Sequence, residues 1–194
     1  MEKIENWKKN LNKVEKFLAE NITKYLLLIE DANEHLTLYL HHIVAFKKIE
    51  MDSHIENTKL YELSPDLLKA IKYRCIPEKI KIERQYIDNI IDGMEKIYVD
   101  VFNEWKKILS MYRSDVCSNL SIDDIAQSSE PSYSITEKIE YTDRFIKNFS
   151  QNHLARKLKF DHHCIDDVDL YDMKMCWESD NILSEYKDLA WVLS

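Results

Sequence analysis

A single apolar seam runs through the first part of the sequence and is the strongest constraint on its fold. From Ile4 to Phe46, apolar residues recur at steps of three and four, the period at which side chains share one face of an α-helix. No Gly or Pro interrupts this stretch. A helix from Glu2 to Glu50 would be roughly 70 Å long at about 1.5 Å per residue. The seam consists of Ile4, Trp7, Leu11, Val14, Leu18, Ile22, Tyr25, Ile29, Ala32, Leu36, Tyr39, Ile43 and Phe46.

Glycine is almost absent, and this argues against a β-architecture. The only glycine is Gly93, which follows Asp92 inside a helical pattern. Hairpins and tight turns depend on glycine because it adopts positive φ angles without steric cost. The chain has 194 residues, enough to bury a substantial core within one domain. The sequence therefore predicts an all-α protein.

A second long helix is predicted after a polar connection. Ser64 is a good N-cap, Pro65 suits the first helical position, and Leu63 and Leu68 are spaced as a hydrophobic staple. Pro77 should end or kink this helix. Beyond it the seam resumes with Ile80, Ile87, Ile90, Met94, Ile97, Val101, Trp105, Ile108 and Tyr112. Two long helices with matching seams predict an antiparallel pair.

The composition divides the chain into three parts. Residues 1–113 are predicted to form a long helical hairpin of the coiled-coil type. Residues 114–134 are rich in Ser, Asp and Asn and are predicted to be a flexible linker. Residues 135–194 are predicted to form a small bundle of shorter helices, the first beginning at Thr136, that packs on the hairpin or on a partner. The expected apolar faces of these helices are Ile139, Thr142, Ile146 and Phe149, then Val168, Tyr171 and Met175, then Leu183, Tyr186, Ala190 and Leu193.

The charge balance and the cysteines restrict the class of partner and the compartment. Asp and Glu outnumber Lys and Arg by 35 to 27, a formal net charge of −8. A negative field repels nucleic-acid phosphates and anionic lipids. The four cysteines form no CxxC pair, which favours the cytosol or the nucleus. The apolar run Tyr25–Ile29 is too short to span a bilayer.

One short cluster has the residue types of a metal site. The sequence Asp161-His162-His163-Cys164 spells the motif of protein palmitoyltransferases, but the cysteine-rich segment and the transmembrane helices of those enzymes are missing, and we interpret the match as chance. His162, His163, Cys164 and Cys176 could serve as zinc ligands. The gap of eleven residues before Cys176 is not a recognised ligand spacing, so we expect no metal.

The sequence carries no pattern typical of an enzyme. It has no Ser/His/Asp arrangement, no glycine-rich phosphate loop and no HExxH motif. Carboxylates along the helices are matched by lysines in the same helices, as on a solvated face. We therefore expect no catalytic residues, no cofactor and no small-molecule substrate.

Candidates for contact with a partner protein lie in the C-terminal part. Basic and aromatic residues alternate along residues 144–159. The alternatives are a docking surface for an acidic partner or for RNA, and an ordinary amphipathic helix with its aromatic rings in the core, which we favour. Tryptophan is enriched in interface hot spots, although a core role explains it equally well. The candidate contact residues are Phe145, Phe149, Arg156, Lys157, Trp177 and Trp191.

The order of these features is similar to that of a known family. Leu63-Ser64-Pro65-Asp66-Leu67 opens a long helix, and a later helix ends in His153-Leu154-Ala155-Arg156-Lys157, before Trp177 and an acidic C-terminus. This order resembles the small helical ribosome maturation factors that bind an AAA-ATPase of the Cdc48-like class. Those factors are related to the cyclin-dependent kinase 2-interacting protein, which looks similar in its second half. The resemblance implies a non-catalytic adaptor in maturation of the large ribosomal subunit.

Three classes of function follow as hypotheses. The first is an adaptor subunit of a hetero-oligomer whose partners are proteins. The candidate partners are an AAA-ATPase and another helical subunit that completes the bundle. The second is a structural coiled-coil subunit of the kinetochore or tether type. The third is a dimeric module that senses membrane curvature, which the negative charge disfavours.

Overall fold

The computed structural model describes residues 2–52, 67, 70–117, 133–162, 170–178 and 181–193. Its helices are α1 (Glu2–Asp52), α2 (Ile76–Cys117), α3 (Ile135–Asp161), α4 (Leu170–Glu178) and α5 (Asn181–Leu193), and a π-helical turn at Ile71–Cys75 leads directly into α2. These ranges contain no β-strand, and the predicted all-α fold is confirmed.

The predicted seam of α1 is buried along nearly its whole length. Every seam residue from Trp7 to Ile43 is at most 5% exposed, and Phe46 packs against the core with its ring partly exposed. In α2 the agreement is close but not complete. The structure buries Ile91 and leaves the predicted Ile90 half-buried. The period of the apolar residues therefore identified the buried faces of both long helices.

Two polar contacts show that α1 and α2 are antiparallel. The indole Nε1 of Trp7 donates to Asp115 Oδ2 at 2.9 Å, near one end of the pair. Farther along α1, His35 Nδ1 lies 2.8 Å from Glu83 Oε2. Rising residue numbers in α1 meet falling numbers in α2, as the sequence predicted for a helical hairpin.

Helix α3 runs parallel to α1 and contacts it across the centre of the core. The rings of Tyr25 and Phe149 meet edge to face with centroids 4.7 Å apart. About three to four turns farther on, the rings of Tyr39 and Phe160 lie 6.1 Å apart. Helix α2 packs along the side of α3, so α1 and α3 occupy diagonal positions.

The short helices α4 and α5 together take the fourth position. Both pack on α1 and on α3. Lys138, near the start of α3, donates to the carbonyl of Leu193 at the end of α5, and Phe145 farther along α3 meets Tyr186. Helix α5 is therefore antiparallel to α3, and the chain forms an up-down-up-down four-helix bundle whose last helix is broken. Helices α3, α4 and α5 of the same chain pack on the hairpin. The further helical subunit expected to complete the bundle stays a prediction.

Pro77 changes the helical hydrogen-bond pattern without ending the helix. Proline lacks an N–H, and its ring collides with the carbonyl four residues earlier in a regular α-helix. The backbone widens upstream instead, and the N–H of Ile76 donates to the carbonyl of Ile71, five residues back. Pro77 then lies in the first turn of α2, where its missing N–H costs little. The predicted N-cap Ser64 and the predicted staple lie outside the described residues.

The described ends of the predicted linker, residues 114–134, belong to α2 and to the N-cap of α3. Residues 114–117 continue α2, residues 118–132 lie outside the described part, and α3 begins at Ile135, one residue before the predicted Thr136. Ser134 is the N-cap of α3. Its Oγ accepts from the N–H of Glu137 at 3.2 Å, while the Glu137 carboxylate accepts from the N–H of Ser134 at 2.8 Å. This capping box satisfies amide groups that the end of a helix leaves without partners.

The predicted faces of α4 and α5 were only partly correct. Leu193 is buried and Tyr186 packs against the core as predicted, Ala190 is half-buried, and Val168 and the side chain of Tyr171 lie outside the described part. Met175 and Leu183 were expected inside, but they are 45% and 41% exposed. The buried residues are Met173 and Trp177 in α4, and Ile182, Leu189, Val192 and Leu193 in α5. Helices of nine and thirteen residues contain too few turns for the 3.6-residue period to identify the buried face from sequence. Contact with α1 and α3 decides which face is buried.

Gly93 lies in the middle of α2, and we expect Gly93→Ala to stabilise the protein. A Cβ at this position would lie 3.4 Å from Leu28 Cδ1, an ordinary van der Waals distance. Alanine is favoured over glycine in a helix by about 1 kcal/mol, because an alanine residue loses less conformational entropy than glycine when the chain folds. Urea denaturation should show a gain of roughly 0.5–1 kcal/mol. A loss of stability would instead indicate that α1 and α2 require the close approach that glycine permits.

Candidate partner-binding surfaces

Three of the four aromatic candidates for partner contact are core residues of this chain. Trp177 and Phe149 are 0% exposed, and Phe145 is 4% exposed. Phe149 lies between the rings of Tyr25 and Phe145 and joins α1 to α3. A partner could reach these side chains only if the helices separated. The basic-aromatic stretch of α3 is therefore an amphipathic helix whose rings face inward.

The two basic candidates differ in their surroundings. Arg156 is only 2% exposed and continues the buried face of α3. Lys157 is half-buried, and its Nζ lies 3.2 Å from the carboxylate of Glu95 on α2. Lys157 thus ties α3 to α2, and its charge is already opposed by a carboxylate within the chain.

A buried histidine, His153, links three helices through polar contacts. Its Nε2 lies 2.8 Å from Glu95 Oε2, and its Nδ1 lies 3.1 Å from the hydroxyl of Tyr25. Because a carboxylate only accepts, Nε2 carries the proton, and Nδ1 of the neutral ring accepts from Tyr25. The ring of Tyr98 stacks on His153 at 5.1 Å, and its hydroxyl accepts from Ser150 at 3.1 Å.

Burial lowers the pKa of His153 below its ordinary value of 6.5, and this outweighs the hydrogen bond to Glu95, which raises it. The pKa of Glu95 is lowered, mainly by its hydrogen bond with His153. Both groups therefore bind fewer protons in the folded chain than in the unfolded chain. The stability that depends on neutral His153 is complete above pH 6.5 and is lost as the pH falls below that value.

We expect His153→Gln to reduce the fall of the free energy of unfolding with decreasing pH. Glutamine can still donate to Glu95 but does not titrate, so unfolding free energies measured between neutral and mildly acidic pH should fall less steeply than in the wild type. Tyr25→Phe is the matched control because it removes the hydroxyl partner and keeps the imidazole. It should lower stability at every pH and preserve the slope. Equal slopes for the wild type and His153→Gln would show that His153 does not carry this pH dependence.

Trp191 is the one large aromatic candidate that reaches the surface. It lies near the end of α5 and is 70% exposed. Its ring meets the ring of Tyr133 edge to face at 5.4 Å, and Tyr133 meets Tyr141 at 5.7 Å. The guanidinium of Arg144 lies over the ring of Tyr141 at 5.2 Å. Tyr133, Tyr141, Arg144 and Trp191 form a continuous surface that we call the aromatic surface.

The aromatic surface rests on fixed helices and borders a small cavity. Lys138 Nζ donates to the carbonyl of Leu193 at 2.8 Å and ties the end of α5 to the start of α3. The adjoining cavity of about 140 Å³ lies between α3 and α5. The cavity is lined by Tyr141, Arg144, Phe145, Asn148, Glu185, Asp188 and Leu189.

A larger groove of about 600 Å³ separates α2 from α3 on another side of the bundle. Phe102, Trp105, Leu109 and Ile146 contribute apolar surface, and Lys106, Arg113 and Lys147 contribute positive charge. Asp143 is an acid of this groove, and its carboxylate accepts from Trp105 Nε1 at 3.0 Å and from Lys147 Nζ at 2.6 Å. Partial burial opposes ionisation of Asp143, but these hydrogen bonds outweigh it and lower the pKa of the carboxyl.

The four candidate zinc ligands cannot be compared as a set. His162 is exposed at the end of α3, and Cys176 is half-buried on α4. His163 and Cys164 lie outside the described residues. Within the described part of the chain, no three His, Cys, Asp or Glu side chains are grouped so that they could hold a metal ion. The expectation that no metal binds stays a prediction.

Sequence reasoning missed the polar core and most of the aromatic surface. His153 and Arg156 continue the buried period of Ile146, Phe149 and Phe160, so spacing alone could have placed them inside. Tyr133 fell in the predicted linker, and no local pattern pairs it with Trp191, a residue far away in the chain.

The comparisons with known proteins add no family to this geometry. No protein-family model matches the chain, and a search of curated proteins finds no significant match. Among the described helices, none has an apolar stretch sufficient to cross a bilayer.

Proposed function

We propose that this chain is a non-catalytic helical adaptor that binds another protein through its aromatic surface. The observation that carries the proposal is the 70% exposure of Trp191 on α5, a helix that buries Ile182, Leu189, Val192 and Leu193. Truncation of a tryptophan at the centre of an interface typically costs over 2 kcal/mol of binding energy. The neighbouring Tyr133, Tyr141 and Arg144 are of residue types that are enriched in interfaces.

The packing of the bundle supports an adaptor over a simple tether. Helices α3, α4 and α5 cover the seams of the hairpin, so little of the apolar stripe is left for a second long helix. The proposed partner is a protein in the cytoplasm or nucleus, and the complex is a hetero-oligomer. The resemblance of the sequence to AAA-ATPase-associated ribosome maturation factors makes such an ATPase the first proposed partner. A structural coiled-coil role is the alternative.

The test is a comparative capture of partners from the native cell. The tagged full-length chain, Trp191→Ala and Tyr73→Ala would be purified in parallel and their partners identified by mass spectrometry. Tyr73 is the matched control because it is an aromatic residue that is 66% exposed and lies before α2. We expect Trp191→Ala to lose a protein that the wild type and Tyr73→Ala both retain.

The identity of the lost protein separates the hypotheses. Loss of an AAA-ATPase supports the adaptor function that the resemblance implies, whereas loss of kinetochore or tether subunits supports the structural alternative. An identical set of partners for all three proteins would contradict the assignment of partner binding to Trp191.

A further inference from the structure

The groove between α2 and α3 is bordered by two stripes of side chains that follow helical spacing. On α2, steps of three and four connect residues 99, 102, 106, 109 and 113, and on α3 steps of four, four, three and four connect residues 143, 147, 151, 154 and 158. Residues at such steps share one face of a helix. The stripe on α2 is Val99, Phe102, Lys106, Leu109 and Arg113, and the stripe on α3 is Asp143, Lys147, Gln151, Leu154 and Leu158.

One end of this double stripe is apolar and exposed. Leu154 and Leu158 are 54% and 44% exposed, and Val99 is 41% exposed. Leu154 follows Lys147 by two helical turns, so the leucines extend the same face of α3. An exposed apolar strip that continues a groove offers the contact that an amphipathic helix makes with its partner.

The other end of the double stripe is positively charged. Lys106, Arg113 and Lys147 line the groove, whereas the chain as a whole carries a net charge of −8. The carboxylate of Asp143 accepts from Lys147 and Trp105 and also attracts Arg113, so one carboxylate faces three cations and a positive excess remains. A local excess of positive charge on an acidic protein attracts an acidic segment and fixes its direction.

We propose that this groove binds an acidic amphipathic helix of a partner protein. The apolar face of that helix covers Leu154 and Leu158, and its Asp and Glu residues face the three cations. A nucleic acid fits less well, since Lys106 covers the ring of Phe102 at 4.4 Å and leaves that face closed to a stacking base. The acidic net charge of the chain also repels a phosphate backbone.

The groove is separate from the aromatic surface. Tyr141 and Asp143 are two residues apart on α3, so their side chains point to nearly opposite sides of the helix. The inference therefore goes beyond the proposed function and does not depend on a role for Trp191.

The test uses a labelled peptide of about 16 residues, which forms a helix roughly 24 Å long. Its apolar residues stand at positions i, i+3, i+4 and i+7, with Glu at the exposed positions, and a matched peptide carries Lys in place of Glu. Fluorescence anisotropy with the full chain should detect the acidic peptide and not the basic one. Added salt should weaken the binding, because charges at the surface are screened.

Variants assign the binding to the groove. The double charge reversal, Lys106→Glu with Arg113→Glu, should lower the affinity for the acidic peptide at least about tenfold, a loss of ~1.4 kcal/mol of binding free energy. The double variant Leu154→Ala with Leu158→Ala should lower the affinity for the acidic peptide by at least about fivefold, since the complex then buries less apolar surface. Lys24→Glu is the matched control on an exposed part of α1, outside both stripes, and should bind as the wild type does. All of these changes are at the surface, and circular dichroism should show unchanged melting.

Four results would overturn the proposal. One is equal binding of the acidic and basic peptides, and another is no saturable binding of the acidic peptide up to about 1 mM. The third is that a labelled single-stranded RNA binds and the peptide does not, and that the double charge reversal abolishes the RNA binding. The fourth is self-association that the same reversal abolishes, which would assign the groove to a second copy of this chain.

Discussion

Replacing Trp177 with Ala should lower the free energy of unfolding by about 3–5 kcal/mol, because the truncation of a buried aromatic residue leaves a cavity. The Trp177 side chain is 0% exposed on α4, a helix of nine residues. So short a helix is not stable by itself and depends on the residues that it buries against its neighbours. Urea denaturation followed by far-ultraviolet circular dichroism measures the loss directly.

Two controls make the Trp177 result specific. Trp177→Phe keeps an aromatic ring in the cavity and should cost much less than alanine. The indole Nε1 has no hydrogen-bond partner within the described residues, so its removal leaves no described group unsatisfied. Trp191→Ala should change the unfolding free energy by less than about 0.5 kcal/mol, as is usual for surface positions. A Trp177→Ala protein as stable as the wild type would place Trp177 outside the core.

The second large effect is expected at Phe149, at the centre of the bundle. Phe149→Ala should cost about 3–5 kcal/mol for the lost burial and the cavity. Its ring meets Tyr25 of α1 at 4.7 Å and Phe145 at 6.1 Å, and each aromatic pair adds roughly 0.5–1.5 kcal/mol. Because these contacts join α1 to α3, the variant tests whether the C-terminal helices and the hairpin share one core.

The cooperativity of unfolding decides that question. We expect Phe149→Ala to unfold in a single transition at a lower urea concentration, with the helical signal and the tryptophan fluorescence lost together. Leu158→Ala is the control, since Leu158 lies on the same helix and is 44% exposed. Two separate transitions, with α1 and α2 retained in the first, would contradict a shared core.

The long helices were predictable because their period repeats many times. Eleven buried positions, from Trp7 to Ile43, define the buried face of α1. A pattern shifted by one residue would fail at most of these positions, so the sequence identifies the face without ambiguity. In α2 the sequence pattern predicted that Ile90 is buried, whereas the structure buries the adjacent Ile91. Both isoleucines fit the pattern equally well. The all-α fold followed from these periods and from the scarcity of glycine.

The short helices and the surface sites were not predictable to the same extent. Within nine residues of α4, Met173 and Met175 fit an apolar face equally well, and only the surfaces of α1 and α3 select Met173. The same limit hid the roles of the two tryptophans. Trp177 and Trp191 both lie in short C-terminal helices, but one is fully buried and the other mostly exposed. Distant contacts made that difference.

Polar residues in the core presented a different difficulty. His153 is 3% exposed, although its polarity suggests the surface. Its burial is possible because Tyr25 and Glu95 satisfy both ring nitrogens. These partners lie on α1 and α2, far from His153 in sequence. The spacing along α3 indicated an inward position, but only the assembled bundle shows how the imidazole is satisfied.

The central claim is that the bundle holds Trp177 inside and presents Trp191 to a partner protein. The most direct measurement is the dissociation constant of the captured partner for the wild type, Trp191→Ala and Tyr73→Ala, with melting temperatures recorded on the same samples. We predict that Trp191→Ala binds at least about 30-fold more weakly, a loss of ~2 kcal/mol, with an unchanged melting temperature. Tyr73→Ala should match the wild type. A dissociation constant for Trp191→Ala within twofold of the wild type, or a loss of binding that follows a lowered melting temperature, would contradict the claim.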